Sequence, residues 1–215
     1  MKASQLPRRV ICSVLFCCHS LMSVYASEMT ESSFNRLPKQ LPIFSQKLSF
    51  FLPNDWKLAY TQLEDGMFSA EFLPQSEGLH NWSSMVCIQG FEGLSANIAP
   101  EEFLDTMVDT YRESCSGEVI YQRVDDEYIN GYQTASAIIG CTQMPNSHLN
   151  ELQIDFYSEP PHLSEIGFYT AVSGERDLYL IHKSLRGTEF NAITAPIEKT
   201  NYREFMSAVS PFNLN

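Results

Sequence analysis

Four histidines and three cysteines lie beyond residue 26, and these side chains have the widest chemical reach in the sequence. His80, His148 and His162 fall in loops. His182 lies on a strand face with Leu178 and Leu180, the placement of a packed or edge histidine. None of the four follows a metal spacing such as H-x-x-x-H, and none stands at zinc-site distance from a cysteine. Asp125-Asp126-Glu127 concentrates acid between two strands. A calcium loop alternates its ligands with a glycine and a distant Glu, and that pattern is absent, so a solvated turn fits better. There is no G-x-S-x-G elbow, no S-x-x-K box and no glycine-rich phosphate loop. The sequence therefore implies no cofactor, no metal and no assembled catalytic set. Its candidate binding residues are scattered: Trp82 at the end of a long loop, His80, His162 and His182.

Residues 1–26 set the chemistry of the cysteines. Lys2, Arg8 and Arg9 form a basic start. Val10 to Cys18 is apolar but too short to span a bilayer, and Val24-Tyr25-Ala26 has the small-x-small pattern of a cleavage site. The expectation is an export signal, with Ser27 first in the mature chain and a periplasmic or secreted destination. Cys17 follows Phe16, which does not suit a lipidated cysteine. The flanks of Arg8-Arg9 do not suit a twin-arginine signal. Cleavage removes three basic and no acidic residues, which takes the formal charge from −12 to −15. So acidic a chain excludes nucleic acid and anionic membranes as partners held by bulk attraction. An unknown protein, a peptide or a small-molecule ligand remains.

Cleavage also leaves only Cys87, Cys115 and Cys141. An oxidising compartment pairs two of them and leaves one thiol, with three pairings open. Local structure favours Cys115–Cys141, because each ends an element. Cys87 sits in the apolar run Met85-Val86-Cys87-Ile88, where an unpaired thiol behaves as a small hydrophobe. A nucleophilic thiol needs exposure and a positive neighbour, and neither is visible there.

The elements that must position these residues follow from periodicity. Residues 27–47, interrupted by Pro38 and Pro42, read as an extended lead-in to a domain spanning 48–215. Asp55 to Gln62 and Met67 to Leu73 flank Asp65-Gly66, a hairpin signal. Ser84 to Phe91 reads as a further strand. Pro100 opens a helix whose apolar face carries Phe103, Leu104, Met107, Val108 and Tyr111, and Ser116-Gly117 stops it. Strands are predicted over Glu118 to Val124, Gln133 to Thr142, Leu152 to Tyr157, Glu165 to Val172 and Asp177 to Ser184. Asn201 with Glu204 three residues on caps a last helix over Tyr202 to Val209. Ala135, Ala137, Ile139 and Cys141 share one strand face. Small residues there let a helix approach, and the same face aims Cys141 at the helix that carries Cys115. The expected class is α+β: a single domain with a mostly antiparallel sheet and flanking helices.

Several stretches taken in order resemble a group of small exported proteins of Gram-negative bacteria with no assigned activity. They are Asn81-Trp82, Met85 to Gln89, Cys115, Asn130-Gly131-Tyr132, Cys141, Glu165, Phe168-Tyr169, Gly174, Asp177-Leu178-Tyr179 and Lys183 to Arg186. The resemblance covers about residues 81–186 and implies an exported location and a disulfide. The order of elements is also similar to the Mog1/PsbP-like α+β fold. Neither likeness brings catalytic residues. The functional expectation is a non-enzymatic binding module outside the cytoplasm. Alternatives are an exported hydrolase with a dispersed His/carboxylate site, and a secreted effector of a pathogen. Phe, Tyr and Trp make up 12% of the chain, and an exposed aromatic groove would suit a peptide or glycan.

Overall fold

Asp65-Gly66 and Asn130-Gly131 are two-residue turns with positive φ at both positions (49° and 77°, 52° and 87°). That is the backbone of tight hairpins, whose twist matches the strands they join. The computed structural model describes residues 35–124, 127–146, 163–187 and 189–215. The expected signal at 1–26, the strand at Leu152 to Tyr157, Asp125, Asp126, His148 and His162 lie outside the described residues.

The first turn joins β3 (Trp56–Glu64) to β4 (Met67–Pro74), and the second joins β7 (Tyr128–Ile129) to β8 (Tyr132–Met144). With β5 (Ser84–Phe91), β6 (Val119–Val124), β9 (Leu163–Ser173) and β10 (Leu178–Arg186) they build one antiparallel sheet in the order β3-β4-β5-β10-β9-β8-β6. A second sheet has the order β1-β2-β11, from β1 (Arg36–Ile43), β2 (Gln46–Pro53) and β11 (Asn213–Leu214). Among the described residues the α-helices are α1 (Pro100–Ser114) and the five-residue α2 (Tyr202–Met206).

This corrects the expected α+β class with flanking helices: the fold is β-rich, mostly antiparallel, with a curled large sheet. The reason lies in what covers each face. Residues 36–47, read from sequence as a lead-in, supply all of β1 and the turn into β2. Pro38 and Pro42 obscured a strand that tolerates them because it lies at a sheet edge. This small sheet, not a helix layer, covers one face of the large sheet. Ile43, Leu48, Phe50 and Leu52 meet Phe72, Ile88, Ile138, Ile166 and Ile181 in the main core. The approach is close at Gly90, where a Cβ would stand 2.4 Å from Ile43 Cγ2. Asp177, fully buried, locks the contact. It accepts the backbone N–H groups of Ser45 at 3.0 Å and Gly93 at 2.8 Å, and the Ser45 hydroxyl as well. Burial works against this carboxylate, but those hydrogen bonds prevail and hold it below its ordinary range.

Among the described residues α1 is the element that packs on the other face. Phe103, Leu104, Val108 and Tyr111 pack on Ala135, Ala137, Ile139 and Cys141 of β8, the small-residue face anticipated from sequence. Pro100 opens the helix, and Glu101 and Glu102 suit its positive end. Its C-terminal flank is pinned to β8 by a Cys115–Cys141 disulfide. Such a bond persists in an oxidising compartment. Cys87 is free and buried. No helix among the described residues is long and apolar enough to cross a membrane.

The disulfide closes a loop with a sequence separation of 26. Replacing both cysteines with alanine is expected to cost about 3 kcal/mol by loop-entropy arithmetic. Urea unfolding with and without reductant would check it; equal midpoints would refute the role.

Candidate functional site

Period 2 sends Ser69 and Glu71 of β4, Met85, Cys87 and Gln89 of β5, and His182 and Ser184 of β10 to the α1 side of the sheet. Register then lines up one row across four strands. Glu71 stands opposite Cys87, Cys87 opposite His182, and His182 opposite Tyr169. Since α1 lies over β8 and β9, this row is left beside the helix rather than beneath it. The result is a cavity of about 370 Å³. Its floor is the polar row, and Met107, Thr110, Tyr111 and Ser114 of α1 form one wall.

A chain of hydrogen bonds runs out from the floor. His182 Nδ1 lies 3.1 Å from Ser184 Oγ, which lies 3.4 Å from the Tyr169 hydroxyl. The Tyr169 and Tyr111 hydroxyls are 2.5 Å apart, and Tyr111 donates to Glu165 Oε1 at 2.9 Å. Arg186 closes the chain with an ion pair to Glu165 Oε2 at 2.6 Å and a hydrogen bond to the Met144 carbonyl at 2.8 Å. The carboxylate end gives the chain a direction. Glu165 only accepts, so Tyr111 donates to it and takes its own hydrogen bond from Tyr169. By the same rule Ser184 donates to Tyr169, and His182 Nδ1 donates to Ser184. The imidazole is therefore the Nδ1–H tautomer, with Nε2 as its acceptor. Its ring stacks on Tyr169 at 4.5 Å and 13°.

Burial keeps the imidazole, the thiol and the two phenols uncharged. It pushes the His182 pKa down to about 3. It raises the Cys87 thiol, reinforced by nearby Glu71 and only partly offset by a contact with Ser69. Tyr111 and Tyr169 are raised by burial and by the Glu165 charge. Burial raises Glu165 too, against the lowering pull of Arg186.

The sequence candidates scatter around this site. His182 lines the cavity. Trp82 does not; it is buried with Leu73, Met85 and Cys87, with the Arg186 guanidinium 5.6 Å from its ring. His80 is exposed in the β4–β5 loop and lines no part of the cavity. His162 lies outside the described residues. Sequence reasoning weighed Cys87 and set it aside as a packed thiol, and it passed over Glu71, Glu165, Tyr111, Tyr169 and Arg186 as site residues. The available signal was polar residues at alternate positions inside apolar strands: Ser69 and Glu71, then Cys87 and Gln89, then His182 and Ser184. No group of three or more His, Cys, Asp or Glu among the described residues could hold a metal ion. A second concavity of about 410 Å³ opens on the opposite face, between Tyr128, Thr134, Tyr202 and Phe212. Its buried polar side chains are the hydroxyls of Thr134, Ser136 and Thr170, the last two 3.0 Å apart.

No family model and no curated protein matches the chain. Among solved structures it is similar to PA94 of Pseudomonas aeruginosa, a protein of unknown function, at 10% identity and a TM-score of 0.36. That alignment covers 81% of this chain and 96% of the other.

Two predictions follow from the network. The folded imidazole stays neutral down to about pH 3, whereas the unfolded one takes a proton below its ordinary 6.5. Its contribution to stability is complete above pH 6.5 and is lost as pH falls towards 3. His182→Phe should flatten the fall in urea midpoint between pH 7 and 5; an unchanged slope would refute this. Arg186→Met strands a buried carboxylate and should cost about 3 kcal/mol or more. Adding Glu165→Leu should recover most of that loss. A double variant no more stable than Arg186→Met would show that the ion pair is not what the region rests on.

Proposed function

We propose that this protein works outside the cytoplasm, in the periplasm or beyond it, as a non-enzymatic binding protein. Its ligand lodges in the cavity beside α1. The observation that carries this reading is the neutrality of the cavity's reactive-type groups. A cysteine nucleophile works as a thiolate beside an imidazolium, which needs the thiol lowered and the imidazole raised. Burial moves Cys87 and His182 in the opposite directions. Such groups offer hydrogen bonds and contact surface instead of attack.

The lining narrows the ligand class. Met67, Met85, Met107 and Met144 supply adaptable apolar contact. His182 Nε2 supplies an acceptor. The ligand is a small, uncharged molecule with an apolar body and at least one N–H or O–H donor. A site of about 370 Å³ holds a molecule at the lower end of drug size. The export signal and the disulfide both support a location outside the cytoplasm.

The hydrolase alternative draws on the Glu71–Cys87–His182 row, in which the thiol and the imidazole are the right residue types in the wrong charge states. A direct test uses 1-aminoanthracene, an aromatic amine that fluoresces in apolar sites. One saturable site is expected. Gln89→Trp and Met107→Trp, which fill the cavity from its partly exposed rim, should weaken binding about tenfold or more, equivalent to 1.4 kcal/mol. Their thermal midpoints should stay near that of the parent. Non-saturable binding, or binding indifferent to both substitutions, refutes the site. Turnover of an ester or peptide panel, lost in Cys87→Ala, would replace this reading with the hydrolase.

A further inference from the structure

Among the described residues no strand pairs with the outer edge of β3. An unpaired strand edge is a template for another chain, and proteins normally blunt it with prolines, charges, short length or cover. The other edges follow that rule. β1 carries Pro38, Lys39 and Pro42. β6 has six residues, and its side chains are engaged by α1, with Tyr121 bonded to Asp105 and Arg123 to the Glu101 carbonyl. β3 is different. It runs for nine residues, contains no proline and exposes Leu58 (52%) and Leu63 (68%).

Its two faces can be read from its pairing with β4. The register shifts between Leu58 and Tyr60, which makes Ala59 the extra residue of a bulge. Leu58 stands opposite Phe72, Thr61 opposite Ala70 and Leu63 opposite Phe68, so these three share the face turned from the cavity. Lys57, Tyr60, Gln62 and Glu64 share the cavity face, standing opposite Leu73, Glu71, Ser69 and Met67. The strand is then complementary to itself. A second β3 laid antiparallel, with a two-fold axis at Thr61, sets Tyr60 against Gln62, Leu58 against Leu63 and Lys57 against Glu64. Every pair falls on a common face. Without the bulge the outer two pairs would fall out of phase. The two exposed leucines cover each other, and the only lysine of the strand meets its only glutamate, at both ends.

We infer that two copies of this chain pair through β3 into one continuous antiparallel sheet, with an isologous interface centred on Thr61. Charge complementarity selects a second copy over an unrelated peptide, because the matching residues are already present on the same strand. Lys57 now donates to the Gln75 carbonyl at 2.9 Å, an exposed contact that it exchanges for Glu64 of the other copy. Tyr60 and Gln62 line the cavity wall nearest this edge, so pairing brings two cavities side by side on one face. The inference does not depend on what the cavity binds.

The test uses the full chain, expressed with residues 1–26 in place and purified from the fraction that holds it. Sedimentation across a concentration series should show a monomer–dimer equilibrium. Lys57→Glu and Glu64→Lys, which shift net charge in opposite directions, should each weaken the dimer about tenfold or more. The double swap K57E/E64K should restore it. Thr61→Cys should form a covalent dimer under oxidised glutathione, since directly opposed strand positions lie within disulfide reach. A monomer at every concentration overturns the inference, whether another segment covers the edge or nothing does. A dimer indifferent to both charge reversals, or not restored by the swap, also overturns it.

Discussion

Glu165 is the buried charge around which the α1 side of this fold is arranged. A carboxylate at that depth holds only with a charged partner and hydrogen-bond donors around it. Arg186 provides the first, and Tyr111 begins the second. Tyr111 comes from the helix, Glu165 from β9 and Arg186 from β10, so the three together fix where α1 sits on the sheet. The same carboxylate orients each hydroxyl behind it, out to the imidazole of His182. Glu165, which also lines the cavity, thus decides which nitrogen of the His182 ring carries the proton.

The helix position explains why there is a cavity at all. α1 packs on the small side chains of β8 and stays over β8 and β9. The small sheet occupies the opposite face and cannot cover β4 and β5 on this one. Their α1-facing side chains Ser69, Glu71, Met85 and Cys87 are nonetheless buried, and together they line the cavity. Cys87 and His182 lie deep enough for desolvation to govern them, yet they line a cavity.

The local pieces were legible in the sequence. Asp65-Gly66 marked its hairpin, Ser84 to Phe91 matches β5 in both bounds, and Pro100 opens α1. The alternation Ala135, Ala137, Ile139, Cys141 carried the disulfide, because one strand face and one helix end suffice to bring those sulfurs together. The fold class was not legible. β1 carries two prolines and three polar or charged residues, and its strand character comes from its partner β2 rather than from its own residues. The site was not legible either. Cys87 meets His182 because β5 neighbours β10, a fact of strand order that no window of sequence contains. Trp82 and His80 drew notice as rare residue types in a loop. The residues lining the cavity looked like ordinary polar interruptions of apolar strands.

The last residues of the chain close the small sheet at its beginning. Leu214 pairs with Leu48, and Asn215 exchanges both backbone hydrogen bonds with Lys47, at 2.7 and 3.1 Å. Asp177 reaches back to Ser45 across 132 residues. A chain made from its N-terminus therefore forms the β1–β2 hairpin long before β11 and Asp177 exist to hold it. Contacts so distant in sequence make folding slow. The β1–β2 hairpin stays an unfinished layer until β11 has been made. The two layers are thus held in register by contacts that can form only late, which makes their closure one of the last events of folding.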